Sequence, residues 1–365
     1  MSIYLIGFGV TLFAALLLVL SKGWHGRFTM DSTAGVQKFH TVPTPRIGGV
    51  AIAVGLISVY SQAPPAIQAI LAPMLLAGIP AFGAGLLEDV TKKVGVLPRL
   101  LATMLSGAVA WYLTGVAMRN TGVPPIDWLL AFTPVAVLFT AFAVGGVANA
   151  VNISDGFNGL AAGAVAIMLG ALGLIAMNAG DAPLATVCFV IAAVVLGFGA
   201  VNWPLGNIFF GDGGAYLVGF LLAWLAVLLP MRNPQITAWA TMLVCAYPVL
   251  EVGFSYLRKS KREGHHPGQP DKVHFHMLMH RRVARPLFAN AGSALKNGFT
   301  SPFCWIFAAL PAGWAVIFSQ NIAMLPLGFA IAIFTYAAIY ARLTQFRWCL
   351  PLFERKPMPA PVDIA

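Results

Sequence analysis

Four carboxylates stand out by position. Of the twelve acidic residues in the chain, Glu88, Asp89, Asp155 and Asp212 each adjoin a long apolar run, and an ionised group at a membrane boundary is costly enough to imply a use. Several converging carboxylates suit a hard divalent cation such as Mg2+, which keeps part of its water shell and is shared between one or two carboxylates and the phosphate oxygens of a substrate. Asp212 is the first candidate ligand. It lies in FFGDGG (209–214), where Gly211, Gly213 and Gly214 would let the backbone approach a diphosphate closely, just before an apolar run that starts near Ala215. In NAVNISDGFNGL (149–160), Asn152, Ser154, Asp155 and Asn158 crowd into the turn ahead of a helix expected from about Gly159. One of them would suffice as an N-cap, so the surplus points to a cation and phosphates at the positive end of the helix dipole, with Asp155 as a second ligand.

Cationic partners for phosphate are also present. The stretch GHHPGQPDKVHFHMLMHRR (264–282) carries five of the seven histidines, and His276 and His280 would share a helix face. Zinc is disfavoured, because the stretch has no cysteine and Lys272, Arg281, Arg282 and Arg285 surround it. Imidazole and guanidinium donors suit a pyrophosphate better, and they can stabilise charge on a leaving group. In HTVPTPRIGG (40–49), Arg46 offers a fixed bidentate donor to phosphate or a positive anchor on the membrane, and Gly48–Gly49 allow close helix packing. Glu251, in PVLEVGF, falls inside an apolar run and is expected to be structural, facing Arg258.

The elements that must position these residues are membrane helices. The chain is 59% hydrophobic and 9% charged, with a mean hydropathy of +0.82, which excludes a water-soluble protein of this length. Apolar segments at about 2–21, 47–61, 66–87, 100–117, 128–149, 159–178, 183–201, 214–230, 236–257, 302–319 and 322–341 predict an all-α polytopic fold of about eleven spans. The first segment has no basic residue ahead of it and is expected to stay as a span, not to be cleaved. Cys188, Cys245, Cys304 and Cys349 lie far apart in or beside apolar runs and are read as packing residues.

Every lysine and arginine except Arg119 and Arg232 falls on one set of connections, which places the N-terminus outside and the C-terminus in the cytoplasm. One integral membrane domain is expected over 1–345, with cytoplasmic loops at 22–46, 88–99, 150–158, 202–213 and 258–301 and a tail at 346–365. All the polar motifs then lie on the cytoplasmic face. A secondary transporter needs polar groups near the bilayer midplane and is disfavoured; one-sided chemistry suits an enzyme joining a soluble substrate to a lipid.

NISDGFNGL, FFGDGG and DKVHFH, in this order among about eleven helices, resemble the motifs of the polyprenyl-phosphate N-acetylhexosamine-1-phosphate transferases, over roughly residues 38–282. The resemblance implies a phosphotransferase that moves a sugar 1-phosphate from a UDP-sugar to undecaprenyl phosphate, with Mg2+ or Mn2+ as cofactor and release of UMP. It implies an inner-membrane enzyme of cell-envelope polysaccharide synthesis, with membrane lipids and a second copy of the chain as further partners and no nucleic acid. The family's aspartate pair falls on Glu88 and Asp89, of which Asp89 would orient or deprotonate the lipid phosphate; direct attack and a covalent carboxylate route both stay open. Its N-x-x-D-G-x-D-G-L pattern falls on Asn152, Asp155, Gly156, Asn158 and Gly159, with asparagine in place of the second aspartate. Phe209 and Asn202 would line the uracil pocket, Asp212 and Asp155 would hold the metal, and His274 and His276 stand in the histidine motif, whose third histidine is Met277 here. His40, Arg46 and Arg282 complete the substrate-binding set. PTPRIGG resembles the branch that initiates O-antigen and teichoic acid assembly, so a small donor such as UDP-N-acetylglucosamine or a deoxy derivative is expected; the peptidoglycan muramoyl-pentapeptide branch is the alternative.

The charge bias yields a direct test. A cysteine introduced as Gly264→Cys is expected to resist a membrane-impermeant thiol reagent in intact cells and to react once the membrane is opened; labelling from outside would invert the topology.

Overall fold

The computed structural model of the chain describes residues 2–31, 43–260 and 273–345. His40, Lys272, Cys349 and the tail therefore lie outside the described residues. Helix α1 (Ile3–Leu20) is followed by the short α2 (Lys22–Thr29), and a two-residue antiparallel ribbon of β1 (Met30–Asp31) and β2 (Thr44–Pro45) leads into α3 (Gly48–Gln62). Next come α4 (Pro65–Ala77), α5 (Ile79–Thr91), α6 (Val96–Thr114), the short α7 (Pro124–Leu130), α8 (Thr133–Ser154), α9 (Leu160–Asn178), α10 (Ala182–Asn202) and α11 (Gly211–Arg232). The last part holds α12 (Ala238–Val244), α13 (Ala246–Ser260), α14 (Phe275–Met279), a π-helical turn (His280–Ala284), α15 (Arg285–Leu287), α16 (Ser293–Gly298), α17 (Ser301–Ile317) and α18 (Met324–Thr344).

Each of the eleven expected segments is occupied by apolar helix. Among the described residues, eight helical stretches, one of them running through α16 and α17, are long and apolar enough to cross a membrane, two bent pairs are long enough together, and α3 is a shorter apolar helix. The bends are the main departure from expectation, which took 66–87 and 236–257 as unbroken. Helices α4 and α5 meet at 46° and α12 and α13 at 76°. Proline explains both positions, because Pro80 and Pro248 stand just inside α5 and α13 and cannot donate to the carbonyl four residues back.

Helix α11 is the axis of the bundle. It is apolar around its whole circumference and buried along nearly its whole length, a pattern that fits only the interior of a helix bundle. It packs on α3, α5, α6, α8, α9 and α12. Close approach comes from glycine: a Cβ on Gly219 would lie 2.8 Å from the Ala148 Cα of α8, and one on Gly49 or Gly85 would lie 2.4 Å from the backbone nitrogen of Gly214 or Gly213. The N-terminus of α11 is thus wedged between α3 and α5. At its other end Arg232 donates two hydrogen bonds to Asp181, Nε to Oδ2 at 2.7 Å and Nη2 to Oδ1 at 3.0 Å, while Asp181 also caps α10 by accepting from Leu184 N. Arg119 lies beyond the C-terminal end of α6, whose first turn holds Arg99. The two arginines set apart by the charge bias are therefore both at the end of the bundle away from Asp212.

The wedge predicts a selective defect. Gly85→Ala should destabilise the protein by about 1–3 kcal/mol, the usual cost of overpacking, whereas Gly83→Ala, whose Cβ would meet nothing within 4 Å, should be neutral. Thermal unfolding of the two variants in detergent checks this.

Candidate active site

Asp89 lies at the centre of the site end of α11, in the last turn of α5 and fully buried. Its Oδ1 accepts from Asp212 N at 2.8 Å and its Oδ2 from Gly213 N at 2.9 Å, so it caps the first amides of α11. Arg46 pairs with it through Nε at 3.1 Å, and the same guanidinium reaches Asp212 Oδ1 at 3.0 Å and Asp31 Oδ1 at 3.5 Å. Burial works against the charge on Arg46, but Asp89, Asp212 and Asp31 outweigh it and hold the guanidinium above its ordinary pKa. With both oxygens engaged, Asp89 orients the helix terminus.

The expectation for the glycines of FFGDGG also changes. Gly211, at φ +70°, makes room for Arg46 O and the Asp89 carboxylate, Gly213 faces Leu86, and Gly214 faces Gly49. These glycines admit neighbouring backbone, not a diphosphate, and the amides that would have met phosphate are already capped. The loop before α11 is tied to the PTPRIGG segment by Phe209 N to Pro45 O at 2.8 Å, Gly48 N to Phe209 O at 2.9 Å and Gly49 N to Phe210 O at 3.0 Å. Phe209 itself is half-buried.

Around this anchor the polar groups converge. Asp212 accepts from Arg46 and from Asn152 Nδ2, the latter at 3.2 Å, and its other oxygen pairs with Arg99. Asp155 ends α8 half-buried, and among the described residues its carboxylate takes no hydrogen bond. Burial pushes its pKa up to about 7, with Arg46 opposing and Asp212 and Asp89 adding to the rise. Glu88 accepts from Val94 N at 2.7 Å, closing the turn after α5.

Asn158 and Asn202 are buried and hold loops to one another. Asn202 accepts from Gly159 N at 2.5 Å and donates to Ile208 O at 2.6 Å; Asn158 donates to Pro204 O at 3.0 Å, while its backbone pairs with the side chains of Asn297 and Ser301. No side chain of the 152–158 turn caps α9: its N-cap is Gly159, at φ +78°. Gly156 has a different use, since a Cβ there would stand 2.8 Å from His276 Nε2. The imidazole of His276 is thereby brought against the backbone beside Asp155.

His274 and His276 stack with parallel rings, 5.4 Å between centroids. Glu251 faces them, not Arg258: its Oε1 lies 2.9 Å from His274 Nδ1 and accepts from Phe275 N at 2.9 Å. Arg258 instead donates to Val273 O at 2.9 Å and to Tyr340. His280 does not extend the pair. It packs on Phe157 at 4.9 Å and bonds Thr300 Oγ1 at 2.8 Å, and burial together with Arg285 and Arg281 pushes its pKa down to about 4, which keeps it neutral. Arg282 is half-buried on the π-turn. Among the described residues no three His, Cys, Asp or Glu side chains form a ready-made metal cage. Sequence reasoning missed Arg99, counted only as a positive-inside charge, and Asp31. The one signal for Asp31 was its scarcity as an acidic residue, since the partners are far away in the chain.

Residues 71–230 match the family model described as glycosyl transferase family 4, a stretch running from α4 to α11 that contains Asp89, Asn152, Asp155, Asn202 and Asp212. Over that stretch the chain is similar to glycosyl transferase family 4. Similar proteins include the undecaprenyl-phosphate alpha-N-acetylglucosaminyl 1-phosphate transferase of Yersinia pestis, 23% identical over 95% of this chain and 93% of the relative. The decaprenyl-phosphate N-acetylglucosaminephosphotransferase of Mycolicibacterium smegmatis is 26% identical over 95% of this chain and 89% of the relative, and that of Mycobacterium tuberculosis 28% identical over 72% and 74%. Arg46 and the histidine pair lie outside the stretch that matches the glycosyl transferase family 4 model, and the fold brings them to it.

The two aspartates should respond oppositely to neutralisation. Asp89→Asn leaves an amide facing amides and should lower stability by about 2 kcal/mol, the upper range for a lost helix cap. Asp155→Asn removes a carboxylate that burial already disfavours as an anion, so in the absence of divalent cations its melting temperature should equal or exceed that of the wild type. Thermal unfolding in a chelating buffer near pH 8 checks both.

Proposed function

We propose that the protein transfers a sugar 1-phosphate from a UDP-sugar to undecaprenyl phosphate, releasing UMP, at the cytoplasmic face of the inner membrane. The observation that carries this reading is the half-buried Asp155, whose carboxylate takes no hydrogen bond among the described residues, beside Asp212, Arg46 and Arg99, with His276 across Gly156, at one end of an apolar helix bundle. Such a cluster suits phosphate from two sources, one in water and one at the lipid surface. The names of the relatives support a polyprenyl phosphate as acceptor and N-acetylglucosamine 1-phosphate as the transferred group. The lysine and arginine bias supports the cytoplasmic side.

A divalent cation fits the donors present. Among the described residues the Asp155 carboxylate takes no hydrogen bond, and Mg2+ needs only one or two protein carboxylates when a diphosphate supplies further oxygens. Asp155 and Asp212 would hold it, and bound there it would neutralise charge on the diphosphate. The remaining work falls to the chain. A phosphate monoester is largely dianionic at neutral pH, its second pKa being about 6, so the acceptor needs orientation more than a base, in keeping with the engaged oxygens of Asp89. One acceptor oxygen attacks the sugar-linked phosphorus in line, the bond from that phosphorus to the bridging oxygen breaks, and the electron pair leaves with UMP. Arg46 and Arg99 are placed to receive phosphate oxygens in exchange for Asp212, and His274 and His276 to balance charge on the leaving group.

Incubation of purified protein with UDP-sugars, undecaprenyl phosphate and Mg2+ should release UMP, with a simple UDP-N-acetylhexosamine preferred to UDP-N-acetylmuramoyl-pentapeptide. Asp212→Asn should reduce turnover by about 100-fold or more while retaining a cooperative unfolding transition, as loss of a charge at the reacting centre would. Wild-type rates in that variant would remove Asp212 from the site.

A further inference from the structure

Glu251 sits on α13 within an otherwise apolar run and is 1% exposed. Its Oε1 takes the amide of Phe275 and the Nδ1 edge of His274, each at 2.9 Å, and its Oε2 accepts from the Tyr336 hydroxyl of α18 at 3.1 Å. The same Oε2 lies 3.7 Å from His276 Nδ1, beyond hydrogen-bond reach, and among the described residues that nitrogen has no hydrogen-bond partner. The carboxylate is therefore directed at the Nδ1 edges of both rings. An ionised carboxylate only accepts, so the nitrogen that meets it must carry hydrogen, and Nε2 becomes the nitrogen left for other work. The rings stack within 4° of parallel, and the Nε2 edge of His276 abuts Gly156 next to Asp155.

Burying a carboxylate is costly, and packing alone would be served as well by an apolar side chain. What the carboxylate supplies and an apolar group does not is a fixed tautomer and a negative charge behind two imidazoles. We propose that Glu251 is the positioning residue of the His274–Phe275–His276 segment, holding hydrogen on Nδ1 of both rings so that each Nε2 can take up a second proton and donate it to a diphosphate oxygen, with the carboxylate balancing the imidazolium charge behind it. Tyr336, stacked on Phe275 at 4.7 Å between centroids, fixes the carboxylate from the other side and ties α18 to the site. The proposal rests on the transferase reading for what the histidines bind, but the tautomer it assigns does not depend on that reading.

The test uses the full-length protein in detergent and the variants Glu251→Gln and Glu251→Asp. Glutamine keeps the shape and places a donor amide where an acceptor stood; aspartate keeps the charge. Selective 15N-histidine NMR, with His274→Asn and His276→Asn to assign the signals, is expected to show Nδ1–H on both rings in the wild type and a shift of His276 toward the Nε2–H tautomer in Glu251→Gln. UMP release by Glu251→Gln is expected to fall about 10- to 100-fold in kcat, the range for lost outer-shell partners, with a smaller change in KM for the UDP-sugar. Glu251→Asp should recover part of that loss, with thermal unfolding reporting the folded fraction of each. Nε2–H tautomers in the wild type, an unchanged histidine spectrum in Glu251→Gln, or kcat losses in both variants that merely follow the folded fraction would each overturn the proposal. If the wild type releases no UMP from any UDP-sugar, the transferase reading fails while the NMR result still decides the role of Glu251.

Discussion

The structure depends on how the buried start of α11 is satisfied. The first amides of any helix lack intrahelical partners, and in an apolar interior each would be expensive to leave bare. Asp89 meets two of them with one carboxylate. That solution brings in a charge that is itself unaffordable alone, and Arg46 neutralises it at 3.1 Å. Arg46 then has donors to spare, and these reach Asp212 and Asp31. One capping interaction thus joins α5, the β1–β2 ribbon, the start of α3 and α11. Glycines at 49, 85 and 211 are needed because the joined backbones are too close for any Cβ.

The anchor also leaves the site charged in a useful way. Arg46 and Arg99 both pair with Asp212, so two guanidiniums are stored next to a carboxylate that a cation can claim. Asp155 stands beside them with no hydrogen bond to its carboxylate among the described residues, and burial raises its pKa. In the proposed reaction, phosphate oxygens would replace carboxylate at the arginines while a cation took the carboxylates, with each charge matched before and after. An uncapped helix terminus offers an anion only partial charges; a cluster that trades whole charges offers more.

Two supports hold the rest of the site from opposite directions. On one side Asn158, Asn202, Asn297 and Ser301 tie three loops together, and the indoles of Trp203 and Trp305 add hydrogen bonds to Gly298 O and Gly159 O at 3.0 and 3.2 Å. On the other, Glu251 holds the histidine pair. They meet at 156–157, where Gly156 lets His276 approach and Phe157 packs edge-on to His276 and obliquely on His280. These asparagine bonds stiffen the frame, because each one lost would leave a buried polar group unsatisfied.

Composition and hydropathy alone determined that this is a helical membrane protein, placed its apolar segments, and separated Arg119 and Arg232 from the other basic residues, because the bilayer imposes length and charge rules on every segment independently. The residue types also marked Asp155, Asp212, Arg46 and His276 as a phosphate and cation set. What each carboxylate does was decided only by tertiary structure. Asp89, Asp155 and Asp212 look alike in sequence, all beside apolar helix, yet one caps amides, one is left without a partner and one holds two arginines. Glu251 gave no sign of its partners, since His274 lies beyond a long polar stretch of sequence and Tyr336 on α18. The glycines of FFGDGG read as phosphate-binding because that motif says only that something approaches closely; the fold shows that it is the backbone of α3 and α5. A pattern of residue types fixes which chemistry is possible, while hydrogen bonds between distant segments fix which lone pairs remain free to perform it.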